Sequence, residues 1–380
     1  MIIGIDVSSI PYSTGVSNYT LNLVNNLLKI DKENTYKLFY SSFRQPLPQS
    51  VLAFKKYPHV KIYQFKLPPT LLDIFWNQWH ILPIEFFIGK VDIFHTWDWL
   101  EPPILFGKKV TTVHDLVPFL YPKWQHSRTI ATHKKRMHWV VKESKGIVSV
   151  SENTKKDLLA LFPTINPNKI TVIYQAPEQK YFEFNHQSEQ EKNAKIKKLK
   201  KAFNLDRYLL AQGTLEPRKN IGRLIKAFYK FKNKYPTSKV ELAIAGKYGW
   251  GGDTSKYKHP SIKILGYIPE KEMVPLHASA LALVYPSLYE GFGLPIIKSM
   301  ALGVPVITSN TSSMAEIADN CAILIEPKSI NSIYQAIEKI CTDSKLRHRL
   351  SVKCFANSKK FNWKNSAKLT LSFYQKINDN

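Results

Sequence analysis

Short apolar runs alternate along the whole chain with stretches in which apolar residues recur at helical spacing. This alternation is typical of parallel sheets whose strands are connected by helices. No internal sequence repeat relates the two halves of the chain. The pattern therefore predicts an α/β protein built around parallel sheets. The candidate strands are Ile2–Val7, Lys37–Tyr40, Val60–Gln64, Ile93–His95, Lys109–Val113, Ile147–Val150, Tyr208–Gln212, Val240–Ala245, Ile262–Leu265, Ala282–Tyr285, Val304–Thr308 and Ala322–Ile325.

The chain has 380 residues, which is too long for one compact core and indicates two domains. We expect an N-terminal domain over residues 1–177 and a C-terminal domain over residues 178–360. In the connecting region, Ser188 and Glu191 form a capping box at the start of a lysine-rich helix. A last helix is expected within residues 361–380.

The chain is strongly basic, with a net charge of +25 spread along its length. Of the 54 basic residues, 46 are Lys and 8 are Arg. Reading of DNA bases and bidentate phosphate binding favour Arg, so this bias argues against a nucleic-acid partner. Two interpretations stay open. One is a lysine-rich background composition, and the other is attraction to an anionic membrane surface.

The sequence indicates a protein of the cytoplasm, either soluble or peripheral at the inner face of the cytoplasmic membrane. Its three cysteines lack metal or redox spacing, which fits a reducing compartment. The segment Met1–Val7 has the pattern of a buried strand rather than that of a signal peptide. The apolar segment Ile81–Ile88 is interrupted by Pro83 and Glu85 and is too short to span a bilayer.

Residues 290–305 carry the clearest chemical signal. Glu290 leads a loop with two glycines that turns directly into a short helix. Pro295 suits the first helical position, and Gly303 suits the C-terminal cap. The start of such a helix presents unpaired backbone N–H groups and a positive dipole end, which together favour a phosphate. An ordinary connection between a strand and a helix remains the alternative.

The run from Tyr289 to Pro295 resembles the donor-site signature of the retaining glycosyltransferases of family four. The resemblance implies the GT-B fold, in which two Rossmann-like parallel-sheet domains face each other across a cleft. In that fold the C-terminal helix crosses back to the first domain. Residues 1–177 with the terminal helix would bind the acceptor, and residues 178–360 would bind a nucleotide-sugar donor.

Lys298 departs from this signature, because the family has a second Glu there that accepts hydrogen bonds from the ribose hydroxyls. Three interpretations are open. The ammonium donates to ribose or phosphate oxygens, the nucleotide is held mainly by Arg218 and Lys219, or activity has been lost. We favour retained activity, because the other donor elements are intact.

The loop at residues 213–220 directly follows a predicted strand and carries the pair Arg218 and Lys219, which suits a diphosphate. The loop also resembles the diphosphate loop of the family. The resemblance implies catalytic roles for both cations and for Glu290, which would form hydrogen bonds to hydroxyls of the donor sugar. No Asp-x-Asp motif occurs, so we expect neither a metal ion nor a cofactor. The expected donor-binding residues are Gly15, Gly213, Asn220, Tyr267, Ile268, Gly291, Phe292, Gly293, Leu294 and Lys298.

In the first half, His114 and Asp115 follow a predicted strand and resemble a His-Asp-Leu segment of the family. There the His contacts the transferred sugar, so a catalytic role for His114 is implied. We expect Asp115, His95 and Ser151 to face the acceptor. A purely structural role is an equal alternative for His95, and Ser151 is also a candidate helix cap.

The resemblance implies a retaining, metal-independent transfer of a hexose to a polysaccharide, lipopolysaccharide or lipid-linked acceptor. The residue sequences of the motifs most resemble those of bacterial mannosyl- and rhamnosyltransferases, so mannose from GDP-mannose is the first expectation. Aromatic residues at 71–88 and basic residues at 128–138 would suit a lipid-linked acceptor at a membrane, although core packing and a solvated helix are the simpler explanation. The alternative function is a catalytically silent relative that binds nucleotide or glycan.

Overall fold

The computed structural model describes residues 1–12, 14–97, 99–247, 249 and 259–379. The chain folds into two compact units. Unit 1 comprises Met1–Gln175 together with Asn362–Asn380, and unit 2 comprises Ala176–Phe361. The terminal helix therefore belongs to the unit that holds the start of the chain.

Within its described residues, unit 1 contains a parallel seven-stranded sheet in the order β3-β2-β1-β4-β5-β6-β7. Its central strands are almost entirely buried, since helices cover both faces. The strands are β1 Ile2–Asp6, β2 Thr35–Ser41, β3 Val60–Phe65, β4 Ile93–Trp97, β5 Lys108–Val113, β6 Gly146–Ser149 and β7 Ile170–Val172.

Unit 2 contains a parallel sheet in the order β10-β9-β8-β11-β12-β13. The strand order changes direction between β8 and β11, and ligands of such sheets bind beyond the carboxyl ends of the strands at that point. The strands are β8 Arg207–Gln212, β9 Val240–Ala245, β10 Ile262–Gly266, β11 Ala282–Tyr285, β12 Val306–Ser309 and β13 Ala322–Ile325.

Helices connect the strands of both sheets. They are α1 Gly15–Ile30, α2 Gln49–Leu52, α3 Pro69–Leu72, α4 Glu85–Ile88, α5 Val117–Leu120, α6 Ser127–Glu143, α7 Glu152–Leu161, α8 Gln179–Asn185, α9 Glu189–Phe203, α10 Ile221–Lys234, α11 Glu270–Ala278, α12 Leu294–Ala301, α13 Ser312–Ala318, α14 Ile330–Thr342, α15 Ser344–Ser358 and α16 Trp363–Asp379. No helix in the described part of the chain is both long and apolar enough to cross a bilayer.

Helix caps follow from local sequence. The side chain of Thr14 caps α1 in a reciprocal box with Ser17, and Ser188 with Glu191 forms the predicted box at the start of α9. The terminal helix α16 packs along α1, where the ring centres of Trp363 and Tyr19 lie 5.7 Å apart.

The predicted α/β fold with two parallel sheets is confirmed. The prediction missed β7, because three residues are too few to show a period. It also began one strand at Val304, whereas β12 begins at Val306 after Pro305, which has no N–H for the sheet. Pro295 occupies the second position of α12 rather than the first, since the helix begins at Leu294.

Candidate active site

Arg218, Lys219 and Glu290 come together at the switch point of unit 2. The two cations lie in a short turn between β8 and α10, and the carboxylate follows β11. Because β8 and β11 are parallel neighbours, the loops that leave their carboxyl ends meet at one edge of the sheet.

The carboxylate of Glu290 binds both cations. Its Oε1 accepts from Lys219 Nζ at 2.6 Å, and its Oε2 accepts from Arg218 Nη1 at 2.5 Å. The hydroxyl of Tyr285 donates to the same Oε1 at 2.8 Å and accepts from Lys219 Nζ at 2.6 Å. Glu216 accepts from Arg218 Nη2 at 2.6 Å, so two carboxylates face two cations.

Burial and the neighbouring charges together set the pKa values in this cluster. Burial by itself raises the pKa of Glu290, but the charges of Arg218 and Lys219 outweigh it and hold the pKa at about 2. For Lys219, burial lowers the pKa and the charge of Arg218 lowers it further, while Glu290 opposes both effects. Glu290 is therefore ionised at neutral pH, and its charge holds the two cations in place.

Asn220, a predicted donor-binding residue, fixes the position of the turn that carries Arg218 and Lys219, which we call the cation turn. It adopts the left-handed conformation at φ 59° just before α10, which Asn tolerates well. Its Nδ2 donates to the carbonyls of Pro286 at 3.0 Å and Pro327 at 2.6 Å. These two bonds connect the turn after β8 to the loops that follow β11 and β13.

Gly213 allows Lys219 to approach the backbone. Gly213 has φ +137°, and a Cβ there would lie 2.9 Å from Lys219 Cε. Any other residue would strain the turn and push the lysine side chain away.

The loop from Glu290 to Gly293 is held from α13. Ser312 Oγ accepts from the N–H of Glu290 at 3.1 Å. Ser313 Oγ lies 2.8 Å from the carbonyl oxygen of Glu290 and 2.9 Å from that of Phe292. Gly293 occupies the N-cap position of α12 at φ +111° and brings no side-chain cap. Pro295 has no N–H, and the N–H of Ile296 donates to the carbonyl of Gly293 at 2.9 Å, so the N–H of Leu294 is the group that the first turn of the helix offers to a ligand. Gly291 lies within this same loop.

Lys298 has partners of its own in unit 2. It is buried on α12, and its Nζ lies 3.0 Å from Glu178 Oε1 and 5.2 Å from the ring centre of Tyr181. The other carboxylate oxygen, Glu178 Oε2, is buried without a hydrogen-bond partner among the described residues. A carboxylate distant in sequence therefore neutralises the lysine that replaces the signature Glu.

Tyr267 and Ile268 follow β10. The ring of Tyr267 is 58% exposed, with Lys247 Nζ lying 4.9 Å from its centre, whereas Ile268 is buried. Both lie at the carboxyl-end edge of the sheet, where a nucleotide base is expected.

In unit 1, His114 lies just beyond β5 against the ring of Tyr19, with ring centres 4.6 Å apart. Burial, and then the charge of Arg136, lowers the pKa of His114 to about 3, so its imidazole is neutral at pH 7. Gln175 Nε2 lies 3.5 Å from His114 Nδ1. The opposite nitrogen, Nε2, is buried and has no partner in the described part of the chain.

His95 is fully buried, which favours its structural alternative. Its Nδ1 lies 2.6 Å from the hydroxyl of Tyr374, and its Nε2 lies 2.8 Å from Thr112 Oγ1. Burial first, and then the nearby His114, lowers the pKa of His95 to about 3. Both ring nitrogens are therefore used inside unit 1, and neither is left for an acceptor.

The remaining predicted residues of unit 1 lie at or near the starts of helices. Ser151 is fully buried, and its Oγ accepts from the N–H of Thr154 at the start of α7. Asp115 Oδ1 accepts from the N–H of Val117 at 3.0 Å, and Gly15 is the first residue of α1. The predicted cap role of Ser151 is confirmed.

Comparison with known proteins identifies the chain. The family model described as Glycosyltransferase Family 4 matches residues 13–176, and that of Glycosyl transferases group 1 matches residues 191–353. Together the two models match most of the chain, which belongs to the glycosyltransferases that they describe. The resemblance seen in the sequence is thereby confirmed.

Curated relatives of the enzyme include "O-antigen chain mannosyltransferase B" of Escherichia coli, which is 28% identical over 95% of this chain and 96% of the relative. "O-antigen chain mannosyltransferase RfbU" of Salmonella typhimurium is 30% identical over 62% of each chain. Among solved structures, a sucrose-phosphate synthase of Thermosynechococcus elongatus has a TM-score of 0.73 at 17% identity, covering 99% of both chains. WaaG, a glycosyltransferase of lipopolysaccharide biosynthesis, has a TM-score of 0.70 at 15% identity, covering 97% of this chain and 98% of its own. These two structures establish the GT-B fold.

Sequence reasoning missed several groups that organise the site of this glycosyltransferase. Glu216 lies inside the loop at residues 213–220, and its position two residues before Arg218 could have predicted that the two side chains pair. Tyr285 and Glu178 carry no local signal, because each acquires its role only through a contact across the fold.

Proposed function

We propose that this glycosyltransferase transfers mannose from GDP-mannose to a growing polysaccharide or lipopolysaccharide acceptor, or to a lipid-linked one. The cluster of Arg218, Lys219 and Glu290 at the switch point of unit 2 carries the proposal. The names of the two O-antigen mannosyltransferase relatives support mannose as the sugar. Because those names give the sugar and not the nucleotide, the experiment compares nucleotides directly.

In this proposal unit 2 binds the donor, and the donor diphosphate lies against Arg218 and Lys219. Both cations are already oriented by carboxylates, so little side-chain ordering remains to be done when the diphosphate binds. They stabilise the charge that develops on the departing GDP, the role a metal ion has in other transferases. Glu290 and the backbone N–H groups of Gly293 and Leu294 hold the sugar and phosphate.

We further propose that unit 1 binds the acceptor and that transfer retains the anomeric configuration. The bond from the anomeric carbon to the diphosphate oxygen breaks, and the acceptor hydroxyl oxygen forms the new bond on the same face. The hydroxyl proton passes to the departing phosphate oxygen. The neutral His114 contacts the transferred sugar in this scheme. The enzyme acts at the cytoplasmic side of the membrane, with neither a metal ion nor nucleic acid as a partner.

The experiment begins with binding. Titration calorimetry with GDP, UDP and dTDP, in the presence of EDTA, should give the strongest binding for GDP. Arg218→Gln with Lys219→Gln should weaken that binding by about a hundredfold or more, because two charge-assisted contacts are lost. Stronger binding of UDP or dTDP would overturn the nucleotide assignment, and equal binding by the double variant would overturn the placement of the diphosphate.

Turnover is measured next. Release of GDP from GDP-mannose, with and without a mannose-terminated glycan, distinguishes an active enzyme from a silent relative. Release stimulated by the glycan supports transfer, whereas binding without any release supports the silent relative. The anomeric proton of the product, observed by NMR, tests retention.

A further inference from the structure

We propose that Gln212 binds the diphosphate of the donor nucleotide through its side-chain amide, and that His277 orients this amide. Gln212 is the last residue of β8 and directly precedes the loop that carries Arg218 and Lys219. This role of Gln212 rests on the proposed function in one respect, that unit 2 binds a nucleoside diphosphate. It depends neither on the base nor on the sugar.

The alternation of side chains along β8 directs Gln212 towards the helices α11 and α12. Leu209 and Ala211 pack into the core beside α10, so the residues between and beside them face the opposite side of the sheet. Tyr208 lies on that opposite side, where its hydroxyl donates to the carbonyl of Leu276 on α11 at 2.6 Å. Gln212, four residues further along the strand, shares this face.

Gln212 also lies beside the cluster that contains Lys219. In the parallel pair of β8 and β11, Leu210 is the register partner of Leu283. Continued by two residues, this register places Tyr285 next to Gln212 on the same face of the sheet. The hydroxyl of Tyr285 accepts from Lys219 Nζ at 2.6 Å. The amide of Gln212 and the ammonium of Lys219 therefore lie at the same edge of the sheet, at its switch point.

His277 fixes the side chain of Gln212. Its Nε2 lies 2.6 Å from Gln212 Oε1, and its Nδ1 lies 2.7 Å from Ser299 Oγ on α12. Burial, and then the charge of Lys298, lowers the pKa of His277 to about 3, so the imidazole is neutral at pH 7 and has one N–H. An amide oxygen can only accept, so Nε2 donates to Gln212 and Nδ1 accepts from the hydroxyl of Ser299.

The bond to His277 uses the oxygen of the Gln212 amide and leaves both N–H groups of its nitrogen. Within the part of the chain that the structure describes, Gln212 Nε2 has no hydrogen-bond partner, and the residue is only partly buried. Polar groups in such surroundings normally have partners. An amide with its oxygen fixed and two N–H groups free is suited to a ligand that offers oxygen acceptors.

Phosphate oxygens are the acceptors that match this position best. Arg218 and Lys219 already attract an anion to the same edge of the sheet, and carboxylates hold both of them in place. A neutral amide adds hydrogen bonds to the diphosphate without adding a third cation that would have to lose its water. Hydrogen bonds to a charged acceptor are also stronger than those to a sugar hydroxyl.

Titration calorimetry of two variants with GDP tests the contact. Gln212→Glu keeps an oxygen acceptor for His277 but replaces the N–H donors by a negative charge, so GDP affinity should fall by about a hundredfold. Gln212→Met removes the donors without adding charge and should lower GDP affinity by about tenfold. Urea unfolding of each variant shows whether it is folded. Affinity of Gln212→Met within a factor of about two of wild type would overturn the contact.

The matched control is Gln335→Glu, on the exposed side of α14 in the same unit. It changes the net charge by the same amount as Gln212→Glu and should bind GDP like the wild type. Equal losses in Gln212→Glu and Gln335→Glu would mean that net charge alone lowers the affinity, and would overturn the contact.

A double-mutant cycle tests the positioning role of His277. His277→Asn should lower GDP affinity by about fivefold in the wild type. It should have no further effect on GDP affinity in Gln212→Met, because His277 acts through the amide that this variant lacks. A purely structural histidine would lower the affinity equally in both backgrounds, and that result would overturn the positioning role.

The same measurements separate this role from the proposed function. If the wild type binds none of GDP, UDP and dTDP, the proposed function fails and the role of Gln212 fails with it. If the wild type binds one of them and Gln212→Met binds it equally well, only the role of Gln212 fails. If UDP or dTDP binds more strongly than GDP, the same loss in Gln212→Met with that nucleotide supports the contact, because the contact is to phosphate and not to the base.

Discussion

The pair of Lys298 and Glu178 allows a quantitative test, because substituting the family residue at position 298 should damage the protein rather than improve it. The two side chains are 7% and 14% exposed, and their charged atoms lie 3.0 Å apart. In Lys298→Glu two carboxylates would occupy this site. With an effective dielectric constant of about 20, a unit-charge interaction at this distance is worth ~5 kcal/mol.

We expect Lys298→Glu to lower the free energy of unfolding by about 3–5 kcal/mol at neutral pH, as when one partner of a buried pair is removed. The charge-reversed double variant, Glu178→Lys with Lys298→Glu, should recover most of this loss. A double-mutant cycle in urea, followed by circular dichroism, measures the coupling between the two positions.

Lys180→Glu is the control, since Lys180 and Glu270 form an ion pair in the same unit but are 37% and 56% exposed. Its cost should stay below about 1 kcal/mol. Unfolding of Lys298→Glu at the wild-type urea concentration would contradict this expectation. A double variant that loses as much stability as its two single variants lose together would contradict it as well. The double variant also presents a Glu at position 298 without the repulsion, so its GDP affinity tests that residue fairly.

Three further predictions concern unit 2. Glu290→Gln should reduce GDP-mannose turnover by about a hundredfold, because Arg218 and Lys219 lose the carboxylate that holds them in place. GDP should still bind, because both cations remain. Turnover within a factor of about two of wild type would contradict this. Gly213→Ala should weaken GDP binding, measured by calorimetry, by about tenfold, because the new Cβ would collide with the side chain of Lys219. Gly303→Ala is the control, since Gly303 also has a positive φ, of +68°, and this change should leave GDP affinity unchanged. Burial, and then the charge of Lys298, lowers the pKa of His277 from 6.5 to about 3. As pH falls, the unfolded chain therefore binds this proton before the folded chain does. The free energy of unfolding should fall as pH drops from about 6.5 towards 3. His277→Asn should flatten that slope in urea titrations at several pH values, and an unchanged slope would speak against the assignment.

The strands could be predicted from sequence because each is a run of apolar residues long enough to show its burial. The exception, β7, has three residues, and its terminal Val172 is only partly buried. The cation turn was equally visible, since Arg218 and Lys219 are adjacent in the chain and follow a strand directly.

The contacts between distant residues could not be predicted in this way. Glu290 lies 72 residues from Arg218, and Lys298 lies 120 residues from Glu178. Nothing in the sequence around His95 shows that both of its nitrogens are bonded inside unit 1.

The strands, the family and the residues of the donor loops therefore follow from local sequence, because periodic burial and turn chemistry act over a few neighbouring positions. The folded chain, by contrast, fixes which charges neutralise one another and which histidine has a ring nitrogen without a partner among the described residues. Those outcomes depend on strand order and helix packing, which bring together side chains whose separation in the chain leaves no local pattern.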